Sequence, residues 1–217
     1  MKIICVGRNY LPHIKELGHK VPEKPTLFLK PDSSVITRNR PFFLPEFSQQ
    51  IEYEVELLVR IDKVGKYIQE KFAHTYYHEI GLGIDFTARD LQKTCIEEGN
   101  PWEIAKAFDG SAIISQFINK EEFTDLNNIN FHLNLNGNTV QSGNSGEMLF
   151  SIDQIISYAS QFFTLKTGDI FFTGTPKEMA TLPTPFGVPV KGVGKVAIND
   201  LLEGWIEDRR MLNFRVK

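Results

Sequence analysis

The sequence predicts a β-rich α+β domain. Short apolar runs bounded by turn residues outnumber helical patterns, and the two do not alternate as a doubly wound sheet requires. Asn136-Gly137 stands between Phe131-His132-Leu133-Asn134-Leu135 and Thr139-Val140-Gln141, the signal of a two-residue type I′ hairpin. With 217 residues the chain is long enough for one substantial core. A single domain over 1–217 is expected, with neither an internal repeat nor a linker.

Taken in order, residues 2–6 read as a short buried strand. Residues 8–24 are polar and interrupted by Pro12, Gly18 and Pro22, which predicts a mobile loop with one helical turn around 12–17. Residues 26–30 form a strand ending at Pro31, and 32–50, with Pro41 and Pro45, are mostly loop. Residues 53–61 are a β-branched, apolar strand carrying acids. Ile68, Phe72 and Tyr76 fall at i, i+4 and i+8, predicting a helix over 66–78. A glycine-containing strand follows at 79–86. A second helix runs from Ala88 to about Glu98, capped by Thr87 and ending near Gly99 and Pro101. Ser151 caps a helix over 152–163, and Gly168-Asp169 turns into the strand 170–172. Two last strands lie near 203–207 and 211–216.

Composition excludes several classes. Hydrophobic residues make up 41% and charged residues 24%, an ordinary balance, and the net charge is −3. Neither a nucleic-acid footprint nor a membrane-surface patch is present, and the one tight basic pair, Arg209-Arg210, reads as a solvated turn. The two cysteines, Cys5 and Cys95, form no metal or disulfide spacing. No stretch reaches signal-peptide or transmembrane character, so a cytoplasmic protein is expected.

The acids carry the chemistry. Side chains alternate along a strand, so Glu54 and Glu56 project the same way, and Asp85 follows in Gly83-Ile84-Asp85-Phe86. Carboxylates grouped on an apolar strand need compensation, and a hard divalent cation supplies it. Three oxygen ligands completed by water and substrate suit Mg²⁺ or Mn²⁺. Glu52 shares the alternation and can replace either glutamate. By simple addition such a site keeps about one negative charge, so an anionic substrate needs nearby cations, for which Lys30, Arg89 and Lys106 are candidates. The turn Thr173-Gly174-Thr175-Pro176 offers hydroxyls and close-approaching amides that can hold a carboxylate. His13 and Glu16, at i and i+3, can form a dyad that activates water or moves protons. His74 and His78 share a helix spacing but lack a third ligand. Arg89 with Asp90 reads as a local surface pair, and Trp102 and Phe108 read as core.

Together these runs resemble the fumarylacetoacetate hydrolase family. The markers are Cys5-Val6-Gly7-Arg8-Asn9-Tyr10 with His13 and Glu16, Leu27-Phe28-Leu29-Lys30-Pro31, Glu54-Val55-Glu56-Leu57, and Asp85-Phe86-Thr87-Ala88-Arg89-Asp90-Leu91-Gln92. Pro101-Trp102 with Lys106, Asn136-Gly137, Gln141, Met148, Gly168-Asp169 and Thr173-Gly174-Thr175-Pro176 complete the set in family order. The resemblance implies a mixed β-roll or flattened barrel with a few short helices, usually dimeric. It implies Mg²⁺ or Mn²⁺ on Glu54, Glu56 and Asp85, and a His13–Glu16 dyad on a lid over 8–24. It also implies Lys106 near the reacting carbonyl, and substrate contacts from Lys30, Arg89, Gln92 and Thr175. One departure is a Pro-rich insertion from about Glu178 to Gly192, where the family usually has a glycine-rich turn.

The implied activity is metal-dependent chemistry on a small 2-oxo acid, first of all hydrolysis of the C–C bond of acylpyruvates. Oxaloacetate decarboxylation or tautomerisation and hydroxymuconate-type isomerisation are the alternatives. A non-catalytic metabolite-binding protein would have lost catalytic groups, yet every candidate position holds a competent residue. A metal-dependent nuclease would need a basic groove that the sequence lacks.

Overall fold

Apolar strands from the two ends of the chain lie side by side in a large mixed sheet. The computed structural model describes residues 1–10, 22–37, 40–176 and 192–217. In it, β1 (Ile3–Gly7) runs parallel to β12 (Ile170–Phe172), with Ile3 opposite Ile170 and Cys5 opposite Phe172. The sheet has eight strands. From one edge, β2 (Thr26–Lys30), β1 and β12 are followed by β5 (Val55–Ile61), β6 (Tyr77–Asp85), β8 (Ala112–Ile114) and β3 (Val35–Thr37). The short β9 (Ile118–Asn119) also pairs with β6. All these pairs are antiparallel except β1 with β12 and β3 with β8.

A second, antiparallel sheet is ordered β11 (Asn138–Asn144), β10 (Asn130–Leu135), β14 (Leu201–Ile206) and β15 (Arg209–Arg215). It packs on the first sheet through one core that includes Leu57, Leu82, Leu133, Leu202, Leu212 and Phe214. The approach is close: a Cβ on Gly204 would lie 2.7 Å from Leu82 Cδ2. The opposite face of the large sheet carries a separate cluster of Ile3, Cys5, Leu58, Ala112, Ile114, Ile170 and Phe172. β5 is therefore buried on both faces, and its sequence is apolar except for Glu56 and Arg60. Each fully buried Leu or Val there stabilises the fold by about 1.5–3 kcal/mol. This is the expected β-rich roll, with few and short helices.

The hairpin and both longer helices form as the sequence predicts. Asn136 (φ 52°) and Gly137 (φ 80°) occupy the left-handed region that a type I′ turn requires. One helix covers Arg89–Glu98 and stops at left-handed Gly99. Another covers Ile152–Phe162 behind a capping box of Ser151 and Gln154.

Four expectations are corrected. Over 66–78 only Glu70–Ala73 is helical, because Tyr67 takes a positive φ of 53° and Tyr77 already pairs with Ile61. His78 therefore sits on β6, against Asp62, instead of sharing a helix face with His74. The described residues of 32–50 stay mostly loop as expected, with Val35–Thr37 a short strand through its parallel pairing with β8. The strand expected over 53–61 breaks at Glu54, and Arg209-Arg210 opens β15 instead of forming a turn. No helix of the described residues is long and apolar enough to cross a membrane.

Candidate active site

The break at Glu54 builds the site. Residues before it, β4 (Ile51–Tyr53), leave for a small sheet with β7 (Thr87–Ala88) and β13 (Gly194–Lys195), while those after it stay in the large sheet. Asp85 N–H donates to the Glu54 carbonyl (2.8 Å), and Val55 N–H to Gln141 Oε1 (2.9 Å), so the break is pinned. One carboxylate oxygen each from Glu54, Glu56 and Asp85 then lies within 4.8 Å of the others, and all three residues are buried. Glu52 is excluded from this group: its carboxylate accepts from Arg89 Nε (2.7 Å) and Gln50 Nε2 (2.6 Å).

Three cations lock the acids. Lys106 closes a one-turn helix, Glu103–Lys106. Its ammonium donates to Glu54 Oε2 (2.7 Å), Asp85 Oδ2 (2.7 Å) and Thr87 Oγ1 (2.6 Å), which uses all three of its protons. Thr87 is thus a partner of Lys106 and not a helix cap. Arg89 grips Glu52 and Glu54 and donates to Gln92 Oε1. It is not paired with Asp90, whose carboxylate instead accepts from Ser48, Gln49 N–H and Leu91 N–H. Lys30 lies 2.7 Å from Asp85 Oδ1, fully buried and bonded to Ser111 Oγ (3.0 Å). Lys30 does not reach the cavity wall; it sits beneath Asp85 and holds it.

Electrostatics set Glu54 apart from Glu56. Burial disfavours the Glu54 charge, but Lys106 and Arg89 outweigh it and hold that carboxyl far below the usual range. Burial also opposes the Lys106 charge, and Asp85 and Glu54 outweigh it in turn, raising its pKa. Glu56 goes the other way. Burial, then the like charges of Asp85 and Glu54, push it well above the usual carboxylate range, against Lys106 and a 2.7 Å hydrogen bond from Gly174 N–H. Gly174 has φ +103°, and a Cβ there would lie 2.7 Å from Asn9 Cβ, so the turn needs glycine to bring this amide to Glu56.

The donor set fits a hard divalent cation. All three ligands are carboxylates, and Glu56 has no ion-pair partner among the described residues. The centre opens into a cavity of about 760 Å³ lined by all three acids, Lys106, Arg89, Gln92 and Thr175. Thr175 Oγ1 donates to Val55 O (2.9 Å) and accepts from Gln141 Nε2 (3.0 Å), which fixes the turn expected to hold a carboxylate.

Phe28, Ile96 and Trp102 form an apolar wall, so half-buried Trp102 serves the cavity and not the core. Half-buried Phe108 packs edge-on against Phe47. His13 and Glu16 lie outside the described residues, as do most of the expected lid and the insertion after Pro176. The base of that lid is fixed: Asn9 and Tyr10 are buried, and Asn9 Nδ2 donates to Phe150 O (3.0 Å) and Thr173 O (2.8 Å). Sequence reasoning gave Arg8 and Tyr10 no role, yet both line the cavity, and among the described residues the Tyr10 hydroxyl has no hydrogen-bond partner. Their signal was the run Gly7-Arg8-Asn9-Tyr10 itself.

Comparison with known proteins agrees with this fold. The chain is 39% identical to the mitochondrial oxaloacetate tautomerase FAHD1 of Mus musculus, over 99% of this chain and 91% of that protein. It is 41% identical to the oxaloacetate tautomerase YcgM of Escherichia coli K12, over 83% of each. Its fold matches the crystal structure of fumarylpyruvate hydrolase from Pseudomonas aeruginosa in complex with Mn²⁺ and pyruvate. The TM-score is 0.87 at 32% identity, covering 100% of this chain and 89% of that one. The family model described as fumarylacetoacetate (FAA) hydrolase C-terminal matches residues 2–207, and the chain belongs to that family.

Proposed function

We propose that this chain is a Mg²⁺- or Mn²⁺-dependent enzyme of small 2-oxo acids, and that it interconverts the keto and enol forms of oxaloacetate. The observation that carries this reading is the buried Glu54–Glu56–Asp85 group, cross-linked by Lys106 and open to a cavity. The tautomerase relatives support the choice of reaction, and the Mn²⁺ and pyruvate named with the Pseudomonas aeruginosa structure support the metal and the substrate class.

Bound to the three acids, the metal would polarise the carboxylate and keto oxygens of the substrate as a Lewis acid. Lys106 keeps two of the three acids in place and puts positive charge where negative charge grows on the substrate as a proton leaves C3. Arg89, braced by Glu52 and Glu54, and Thr175, braced by Gln141, orient the substrate. Gln92 stands beside Arg89 on the same wall. His13, oriented by Glu16, moves the proton at C3.

A second reading, hydrolysis of the C–C bond of acylpyruvates, is favoured by the apolar wall of Phe28, Ile96 and Trp102, which offers room for a longer acyl tail. It uses the same developing charge, with His13 activating water. We propose a homodimer as the working form, which light scattering measures directly.

The test is spectrophotometric. Purified protein with Mg²⁺ or Mn²⁺ accelerates decay of enol-oxaloacetate absorbance, and EDTA abolishes the acceleration. Acetylpyruvate and fumarylpyruvate are assayed in parallel, and their cleavage at a higher kcat/KM would favour the second reading. No acceleration on any of the three substrates with either metal would overturn both.

A further inference from the structure

We propose that Arg8 binds a second, distal carboxylate of the substrate, so that the site prefers 2-oxo diacids to 2-oxo acids with neutral tails. The inference rests on the 2-oxo-acid reading above and adds a specificity residue to it.

The charges around the cavity do not balance for a substrate with two carboxylates. Lys30 is spent on Asp85, Lys106 on Glu54 and Asp85, and Arg89 on Glu52 and Glu54. Four carboxylates thus face three cations, an excess of one negative charge. A divalent ion turns this into an excess of one positive charge, and a single substrate carboxylate cancels it. A second carboxylate then needs a cation of its own. On the cavity wall Lys93 has a partner, Glu97, at 3.8 Å, and Asp90 spends its oxygens on Ser48, Gln49 and Leu91. Arg8 lines the same cavity, and among the described residues its guanidinium has no hydrogen-bond or ion-pair partner.

Backbone geometry makes the same point independently. Arg8 has φ +60°, a left-handed conformation that costs a non-glycine residue about 1–2 kcal/mol. Such strain persists where the surroundings over-determine it, and it collects at ligand sites. The surroundings here do so. On one side Gly7 ends β1 beside Trp102. On the other, Asn9 is clamped by Phe150 and Thr173, and Tyr10 bridges to Met148. The side chain is thereby carried on a fixed backbone at the wall and stays exposed for a ligand. A guanidinium meets a carboxylate in a two-pronged geometry that an ammonium does not reproduce.

Equilibrium binding to Mn²⁺-loaded protein tests the assignment without turnover. Malate and lactate both offer a carboxylate and an adjacent hydroxyl, and they differ by the distal carboxylate; oxalate has no tail. Arg8→Asn keeps a residue that tolerates left-handed backbone, and Arg8→Lys keeps the charge. The wild type binds malate more tightly than lactate, and Arg8→Asn lowers malate affinity about tenfold, the scale of one charge-assisted hydrogen bond. Lactate and oxalate affinities stay unchanged, Arg8→Lys restores part of the malate preference, and KM for oxaloacetate rises in parallel in Arg8→Asn. An unchanged malate preference in Arg8→Asn, or an equal loss for all three ligands, would overturn the role of Arg8 alone. Absence of oxalate binding to the wild type would overturn the 2-oxo-acid reading and this inference with it.

Discussion

Replacing Lys106 by Met in metal-free protein isolates the electrostatic core of the site. The substitution keeps an apolar side chain of similar length and removes three donors, those to Glu54 Oε2, Asp85 Oδ2 and Thr87 Oγ1. Breaking a buried ion pair by removing one partner costs about 3–5 kcal/mol. Arg89 still holds Glu54, and Lys30 still holds Asp85, which places the loss at the low end, about 3 kcal/mol. For a chain of this size each kcal/mol moves the melting temperature by about 2–4 °C, so Lys106→Met in EDTA melts about 6–12 °C below the wild type. Saturating Mn²⁺ narrows that gap, because a site one charge more negative holds the ion more tightly; an ion at a hundred times its Kd stabilises by about 2.7 kcal/mol. The assay is thermal unfolding followed by circular dichroism, in EDTA and in Mn²⁺. A variant that melts with the wild type in EDTA, or a gap that widens in Mn²⁺, would refute the reasoning.

Glu56→Gln has the opposite sign without metal. It removes a carboxylate that faces like charges with no cation of its own, so thermal stability in EDTA holds or rises, while calorimetry shows Mn²⁺ affinity falling more than about tenfold. Asp90 sets an acid-side dependence. Burial raises its pKa, but hydrogen bonds from Ser48, Gln49 and Leu91 together outweigh it and hold it below the ordinary value of 3.8. Its stabilisation is therefore present above the unfolded-state pKa and is lost as pH falls through the folded-state value. Asp90→Asn costs about 1 kcal/mol near neutrality, and urea unfolding curves of variant and wild type converge as pH drops below 3.8; a constant gap would contradict the assignment.

How much of this was legible depended on whether the signal was local. Asn136-Gly137, Ser151 with Gln154, and Gly99 after Arg89–Glu98 are local backbone chemistry, and each formed as read. The spacing Glu54-Val55-Glu56 also foretold carboxylates on one side, although the strand breaks between Tyr53 and Val55. What the sequence hid was set by distant partners. Ile68, Phe72 and Tyr76 have helical spacing, but Tyr77 is claimed by Ile61 across the sheet, and Phe72 stays half exposed. Lys30 sits on an edge strand, yet its ammonium turns inward to Asp85, because a buried carboxylate is a stronger attractor than solvent is a competitor. The choice between Glu52 and its neighbours rested on where Arg89 reaches, and no spacing rule encodes that. Arg8 stayed without a role because the run Gly7-Arg8-Asn9-Tyr10 does not tell which of its side chains faces the cavity.

The central claim is that Glu54, Glu56 and Asp85 hold one divalent ion. Crystals grown with Mn²⁺, measured for anomalous scattering, test it most directly. The account predicts a single strong peak in coordination distance of all three carboxylates, absent from Asp85→Ala crystals grown the same way. A structure with no peak there, or with Lys106 still bridging Glu54 and Asp85 and the ion bound elsewhere, would contradict it.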